Sequence, residues 1–464
     1  MIIGLGAIGT KGDTQISREL VKELASKRPD VKIRYMGPAS AIADLAALQL
    51  PNVQFFELPQ KANDQLNKLE SIGINNAGSS TKLLFAIKRL LSIYSDRAFL
   101  TRYQNEFLNG LDVVISSALT TMLNVTLKEE KTQHVVYSTH PVMETPEIIF
   151  PILPLGDKDY WSRNAEKNIK ANKWALTVER LILGSSARKM RKIYGKKSPI
   201  AASGTMKEFE DGNIHLLKAY PIFIEGQYHQ EYPSNKIKIE NVGYPYIENK
   251  STEFAKNAET NNEIKESILK AKDENRQIVF VSFGSMSPSK YKDKKRILAM
   301  LAKLQELNPE IQIIYQDPTL KNKETEGKLR QEILKQDNQL LYTTAFLNYG
   351  ALLPEMDAMI SHFGIGSLQE AMRAGIRTLS LAFISEQIWT GNLAKMLGIG
   401  LEPHYIKKMT AKKLNILLRE LLANQQLDRN AKDLSKRINN EIINEGAGVD
   451  RAYIALMKIL GEKV

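Results

Sequence analysis

The sequence predicts an α/β chain of two lobes, each built on a parallel sheet. In both halves, short β-branched or apolar runs alternate with helix-period segments, the pattern of successive βαβ units. Between the halves, residues 248–276 are rich in Asn, Lys, Glu, Ser and Thr and poor in large apolar side chains. The length of 464 residues fits two or three domains at about 100–200 residues each.

Strands are expected at 2–8, 31–36, 113–116 and 135–138 in the first half, and at 278–283, 311–315, 358–361 and 378–382 in the second. The turn Gly243-Tyr244-Pro245 closes the first half. The domains are therefore set at 1–246 for the first lobe, 247–275 for a linker and surface helix, 276–440 for the second lobe and 441–464 for a C-terminal helix.

Composition narrows the function classes. Hydrophobic residues at 43% and charged residues at 25% suit a folded soluble enzyme. There is no cysteine, which excludes disulfides, thiolate metal sites and cysteine nucleophiles and suits a reducing compartment. The apolar opening MIIGLGAIG has no basic stretch before it and is too short to span a bilayer, so it reads as a first strand, and a cytoplasmic location is expected. The formal charge of +12 attracts polyanions. Lys and Arg are interspersed with Glu and Asp along 290–296 and 321–335, however, and no aromatic-interleaved basic stripe occurs. A diffuse, solvated basic surface is expected, with no nucleic-acid partner.

The stretch from Leu352 to Gly375 carries the most chemistry. An expected strand, 358–361, runs into His362-Phe363-Gly364-Ile365-Gly366-Ser367, and a helix is expected from Leu368 to Ala374. Gly364 and Gly366 let the backbone approach a ligand, and the first N–H groups of the helix then face it. Such a terminus holds phosphate, with a dipole contribution of roughly 0.3–1 kcal/mol per nearby charge. His362 can donate to a phosphate oxygen, and Ser367 can cap the helix and donate as well. Glu370, three residues on, can close a capping box with Ser367 or accept from a pair of ribose hydroxyls. Taken singly, a lone His and an S-x-x-E are ordinary structural features; together they favour a diphosphate ligand.

These residues resemble the signature of the family 1 UDP-glycosyltransferases, H-x-G-x-x-S-x-x-E, then Gly five residues past the Glu and an acid-Gln pair sixteen and seventeen past it. Here these are His362, Gly364, Ser367, Glu370, Gly375, Glu386 and Gln387, without insertion or deletion. LAKMLGIG, Leu393 to Gly400, is similar to the family's L-G-x-G turn, FLNYGALLP to its W-V-P-Q-x-x-L-L segment, and VFVSFGS to the lobe's first strand and turn. The resemblance implies a GT-B fold of two Rossmann-like lobes with an interlobe cleft, the first lobe binding the acceptor, the second the nucleotide sugar, and the last helix crossing back to the first lobe. It implies that His362, Ser367, Ser285 and nearby backbone amides hold the diphosphate, Glu370 the ribose, and Glu386 with Gln387 the sugar, while Phe346 stacks on the base where the family usually has Trp. The sequence departs from the pattern at Asn348-Tyr349 for Pro-Gln, at Arg377 and Ala382 for two prolines, and at Thr390 for Asn. These departures bear on which sugar and base are bound.

The first half opens with Gly4-x-Gly6-x-x-Gly9, which matches a dinucleotide fingerprint and raises an NAD-dependent oxidoreductase. The second strand ends in Gly37-Pro38 without the acid that would grip the ribose. The loop GTKGD, Gly9 to Asp13, resembles instead the G-T-R-G-D loop of sterol and glycopeptide glycosyltransferases. That likeness implies Gly12 beside the donor and Asp13 as general base for an inverting transfer, a contribution of roughly 10²–10⁴ in rate. An aspartate ahead of a helix expected from Thr14 also serves as an N-cap. His140 at a strand end is a second catalytic candidate and equally an ordinary loop histidine. Asp157-Lys158-Asp159 is a D-x-D expected by chance among 52 acidic residues, and no metal site or cofactor is expected.

The expected partners are a nucleotide-sugar donor, UDP-sugar first, and a small-molecule or lipid acceptor, weakly favoured as lipophilic by 148–156 and Tyr160-Trp161. The basic surface suits peripheral contact with an anionic membrane. The rival from another class is a non-catalytic relative acting as partner or ligand sensor.

Overall fold

The computed structural model describes residues 1–8, 11–64, 96–138, 208, 211–221, 238–244, 258–320, 322–334 and 339–462. They divide into two compact units, one made of the described residues up to 244 together with 441–462, the other of those from 258 to 440.

The first unit carries a sheet of β1 (Ile2–Gly6), β2 (Lys32–Gly37), β3 (Val53–Glu57), β4 (Val113–Ser116), β5 (Gln133–Ser138), β6 (Ile214–Lys218) and β7 (Lys238–Asn241). The strand order is β3-β2-β1-β4-β5-β6-β7, with every pairing parallel. Alternate residues of one face, Ile3, Leu5, Ile33 and Tyr35, are buried with Leu20, Val21 and Leu24 of the helix Lys11–Lys27 and with Ala452 and Leu456 of the helix Gly448–Ile459. The opposite face meets aromatic rings: Tyr103 stacks on Phe99 at 5.7 Å and on Phe107 at 4.9 Å. Gly4 belongs to that packing, since a Cβ there would come 2.5 Å from Leu111. The first glycine of the GxGxxG match lies inside β1, where it makes room for a side chain.

The second unit carries β8 (Gln277–Ser282), β9 (Ile311–Gln316), β10 (Leu341–Thr343), β11 (Ala358–Ser361), β12 (Arg377–Ala382) and β13 (His404–Tyr405), ordered β10-β9-β8-β11-β12-β13 and again parallel throughout. β9, β11 and β12 are buried along their whole length, as expected of parallel strands covered on both faces. The flanking helices are amphipathic: Ala411–Ala423 buries Leu414, Leu418, Leu421 and Leu422, and Gln425–Glu445 buries Leu427, Ala431, Leu434 and Ile438. Side-chain caps start several helices, including Asn322 to the N–H of Thr325 at 2.9 Å and Thr410 to that of Lys413 at 3.2 Å.

The expected strands at 113–116 and 358–361 match to the residue, and the others differ by one or two at their ends, the first ending at Gly6 rather than residue 8. Two helices begin earlier than expected. One starts at Lys11, so Asp13 lies in its first turn and is not the cap ahead of it. The other starts at Ile365, as described below.

The departure Arg377 has a structural use. Its guanidinium donates to the carbonyls of Leu422 at 2.6 Å and Asp357 at 3.2 Å, so it satisfies the end of the helix Ala411–Ala423 from the start of β12.

Candidate functional site

In both sheets the chain winds outward in two directions from a switch point, between β1 and β4 in the first unit and between β8 and β11 in the second. Ligands of open α/β sheets bind outside the carboxyl ends at such points. The segment with the most chemistry, His362 to Ser367, follows β11 directly, and Phe283-Gly284-Ser285 follows β8.

The turn after β11 is strained. Phe363, fully buried, holds φ at 48°, in the left-handed region that a bulky residue rarely adopts. Its carbonyl accepts a hydrogen bond from the hydroxyl of Thr390, which is itself fully buried in the helix Ser385–Met396. Gly364 is the N-cap of the helix Ile365–Ala374, and the first intrahelical bond runs from the N–H of Leu368 to the Gly364 carbonyl at 3.2 Å. The N–H groups of Ile365, Gly366 and Ser367 therefore point beyond the helix start, as an anion site requires. Gly366 faces open space: beyond its own helix, no atom of the described residues lies within 4 Å of where its Cβ would be.

His362 is packed beside this turn, 7% exposed. A Cβ on Gly284 would approach its ring to 3.2 Å and one on Gly364 to 3.1 Å, so the two glycines form its cradle. Burial pushes its pKa down to about 4, with Glu386 pulling weakly upward. At neutral pH it is an uncharged imidazole that can donate one N–H. The pull of Glu386 also places that carboxylate in the same neighbourhood. Gln387 accepts through Oε1 from the N–H groups of Phe383 at 2.7 Å and Ile384 at 3.2 Å, which fixes the side chain and leaves its amide N–H groups for another partner.

Two expected capping roles are corrected. The helix begins three residues before Leu368, so Ser367 lies within its first turn and does not cap it, and Glu370 cannot close a capping box with it. Glu370 accepts from the Arg373 guanidinium at 3.1 and 3.2 Å. Ser285 is half-buried in the turn Gly284–Met286. Phe346, in the loop after β10, is 59% exposed, unusual for a phenylalanine in this unit.

The structure adds residues to which no motif assigned a role. Strand register aligns Thr343, Gln316, Ser282, Ser361 and Ser380 in one row across the carboxyl ends of β10, β9, β8, β11 and β12. All five are buried. Each bonds to the backbone of a nearby loop or helix: Thr343 accepts from Ala345 N at 3.2 Å, Gln316 donates to the Ala345 carbonyl at 2.9 Å, Ser282 accepts from Gly284 N at 3.2 Å, Ser361 accepts from Phe363 N at 3.4 Å, and Ser380 donates to the Gln387 carbonyl at 3.3 Å. The signal in the sequence is that each apolar strand run has a polar residue at or near its end, as in VFVS, IIYQ and AMIS. Lys294, on a stretch expected to be solvated, is buried beneath the neighbouring edge and pairs with buried Asp317 at 2.6 Å.

In the first unit, His140, residues 148–156, Asp157-Lys158-Asp159 and Tyr160-Trp161 lie outside the described residues, as do the side chain of Asp13 and the surroundings of Gly12. Asp13 is placed by its backbone alone, in the helix that follows the switch-point strand β1. Beneath this edge lies a buried polar chain: Tyr103 donates to Asn124, Asn124 to Ser116 Oγ at 2.6 Å, and Ser116 Oγ lies 2.7 Å from Nε2 of His134. His134 is 1% exposed, and burial pushes its pKa down to about 3.

No family model matches the chain. Among curated proteins it is similar to sterol 3-beta-glucosyltransferases. That of Debaryomyces hansenii is 25% identical over 191 residues, 39% of this chain and 11% of the relative. That of Komagataella phaffii is 26% identical over 180 residues, 38% of this chain and 14% of the relative. The matched stretch thus spans only a small part of those relatives' length. Among solved structures, the calicheamicin glycosyltransferase CalG4 superposes with a TM-score of 0.64 at 12% identity, covering 99% of this chain and 98% of its own. The glycotransferase of kitacinnamycin gives 0.60 at 14% identity, with 98% of each chain covered. These likenesses show the fold, two Rossmann-like lobes of GT-B type.

Proposed function

We propose that this chain is a family 1 glycosyltransferase of GT-B type that transfers a hexose with inversion from a nucleoside diphosphate sugar, UDP-sugar first, to a hydroxyl of a small lipophilic acceptor; its likeness to sterol 3-beta-glucosyltransferases and its fold support this. One observation carries the reading: the first N–H groups of the helix Ile365–Ala374, which have no partner within the helix, stand beside the neutral donor His362 at the switch point of the second sheet, with Glu386 and Gln387 adjoining. These are fixed donors at a helix start, where charge on a departing diphosphate is stabilised without reorganisation.

In this reading the diphosphate is held by His362, Ser285, Ser367 and the amides of Gly364 and Gly366, and the ribose by Glu370. Phe346 offers its exposed ring to the base. Glu386 accepts from sugar hydroxyls, and the amide N–H groups of Gln387 donate to them. Asp13 takes the proton of the acceptor hydroxyl, Gly12 lies beside the donor, and His140 assists at the acceptor. The leaving-group charge is met by amide dipoles and His362, so the transfer is metal-independent and uses no resident cofactor. Similarity to sterol glucosyltransferases supports a lipophilic acceptor. Among the described residues no helix is long and apolar enough to cross a membrane. A cytoplasmic enzyme meeting such an acceptor at a membrane surface fits the charge of +12.

The test is release of UDP from UDP-glucose by the purified chain in EDTA, with and without a sterol acceptor. Acceptor-stimulated release supports the reading. Absence of binding, hydrolysis and transfer across a panel of sugar nucleotides would sink it.

A further inference from the structure

We propose that Tyr349 is a positioning residue that locks the nucleoside side of the donor site to its diphosphate side. The inference rests on the donor reading above. Its basis is a contact that crosses three elements. Tyr349 opens the short helix Tyr349–Leu352 and packs edge-on against Phe280 of β8, ring centroids 5.3 Å apart. Its hydroxyl lies 3.0 Å from Ser282 Oγ, at the end of β8, and 3.1 Å from Gln316 Oε1, at the end of β9. Ser282 in turn lies 2.9 Å from the same Gln316 oxygen.

Three oxygens in a triangle share two protons, one from Tyr349 and one from Ser282, and both can be used. The amide oxygen of Gln316 has only lone pairs to offer, so the two hydroxyls supply every donor. Desolvation raises the Tyr349 pKa to about 12, which keeps its proton in place throughout the working pH range.

Each corner of the triangle reaches a different part of the site. Ser282 Oγ holds the amide of Gly284, next to Ser285 and against His362. Gln316 holds the carbonyl of Ala345, next to Phe346. The loop bearing Phe346 is therefore fastened at both ends to the strand ends that fix Gly284, through Ala345 on one side and Tyr349 on the other. Without the phenol oxygen, the far end of that loop is released. The distance between the base platform and the phosphate turn is then no longer set before a ligand arrives. A ligand that engages both ends loses preorganisation, whereas a fragment that engages one end does not.

The experiment compares Tyr349→Phe with the wild-type full chain by calorimetry, using UDP or dTDP, whichever the wild type binds more tightly, and by competition with the free nucleoside and with inorganic pyrophosphate. For a single hydrogen bond the diphosphate Kd is expected to rise about threefold to tenfold, with each fragment changing by less than about twofold and with Tm lowered by only about 2–4 °C. Ser282→Ala cuts the same link from the other corner and is expected to give the same pattern. Unchanged diphosphate binding in both variants overturns the proposal, as does a nucleoside affinity that falls as far as that of the diphosphate, since Tyr349 then serves the base loop alone. A wild-type chain that binds no nucleoside diphosphate overturns the donor reading and this inference with it.

Discussion

The carboxyl edges of the two sheets are built differently. In the second sheet a row of buried side chains, Thr343, Gln316, Ser282, Ser361 and Ser380, reaches up and bonds to backbone above the strands. In the first sheet the corresponding row reads Phe56, Met36, Gly6, Ser116 and Val136. Its loops are tied mainly by backbone bonds, Ala7 N to the Met36 carbonyl at 2.9 Å and Ser117 N to the Gly6 carbonyl at 3.0 Å. Its one central polar side chain, Ser116, turns down into the Tyr103–Asn124–His134 chain. A nucleoside diphosphate needs directional bonds at set distances, which a wired edge supplies. In the proposed reading the first edge meets an apolar acceptor, which needs area more than direction, and small and apolar residues supply that.

The sharpest way to break this division is to swap the two effects. Asp13→Ala should lower transfer by roughly 10²–10⁴ and leave UDP binding intact, because general base catalysis acts only in the transition state. His362→Ala should weaken UDP binding. Steady-state kinetics with UDP titrations decide it, and the reverse pattern removes the assignment of donor to the second edge and chemistry to the first.

The two units also use ion pairs in unlike ways. Lys294 and Asp317 are 4% and 1% exposed, so Lys294→Met leaves a buried carboxylate unpaired and should cost about 3–5 kcal/mol in urea unfolding. Lys27 and Asp450 of the first unit are 41% and 45% exposed, and Lys27→Met should cost less than about 1 kcal/mol. Similar losses in the two variants would contradict this difference in environment.

Among the described residues each unit has one buried neutral histidine, His134 with its pKa near 3 and His362 near 4, against an ordinary value of 6.5. The unfolded chain takes up a proton at each that the folded chain refuses. Their stability contribution is therefore full above pH 6.5 and declines as pH falls toward 4 and 3, by about 1.4 kcal/mol per pH unit for each group. Urea midpoints at pH 7 and pH 5 should show the fall, and His134→Gln should flatten it. An unchanged pH slope in that variant would mean that His134 is not the buried neutral group described.

The smallest effect distinguishes space kept for a ligand from space kept for packing. Gly366→Ala meets nothing among the described residues and should stabilise the helix by about 0.5–1 kcal/mol, yet it should weaken UDP binding by intruding where the diphosphate approaches. If melting and UDP titration move together, the open space at Gly366 has no role in binding.

Much of the fold was legible because its signals are local. The runs at 113–116 and 358–361 are bounded by polar or small residues, and the structure ends those strands at the same places. The helix start at Ile365 is not legible in the sequence because Gly364 and Gly366 look like loop, while the structure makes the first a cap and the second a helical residue left open. Tyr349 looked like a lost Pro-Gln, and Arg377 a lost proline. Both are spoken for by partners far along the chain, Ser282 and Gln316 in one case and the end of the helix Ala411–Ala423 in the other.

The sequence by itself determined the alternation of strands and helices, the parallel sheets that follow from it, and the spacing that sets His362, Gly364, Ser367 and Glu370 on one strand-to-helix turn, because each depends on residues within a few positions of one another. Only the tertiary structure decided the row of polar strand ends, the cradle of Gly284 and Gly364 around His362, and the triangle at Tyr349. These depend on strand order and register, which bring residues as far apart in the chain as Ser282 and Ser380 into one row, and no local pattern encodes that pairing.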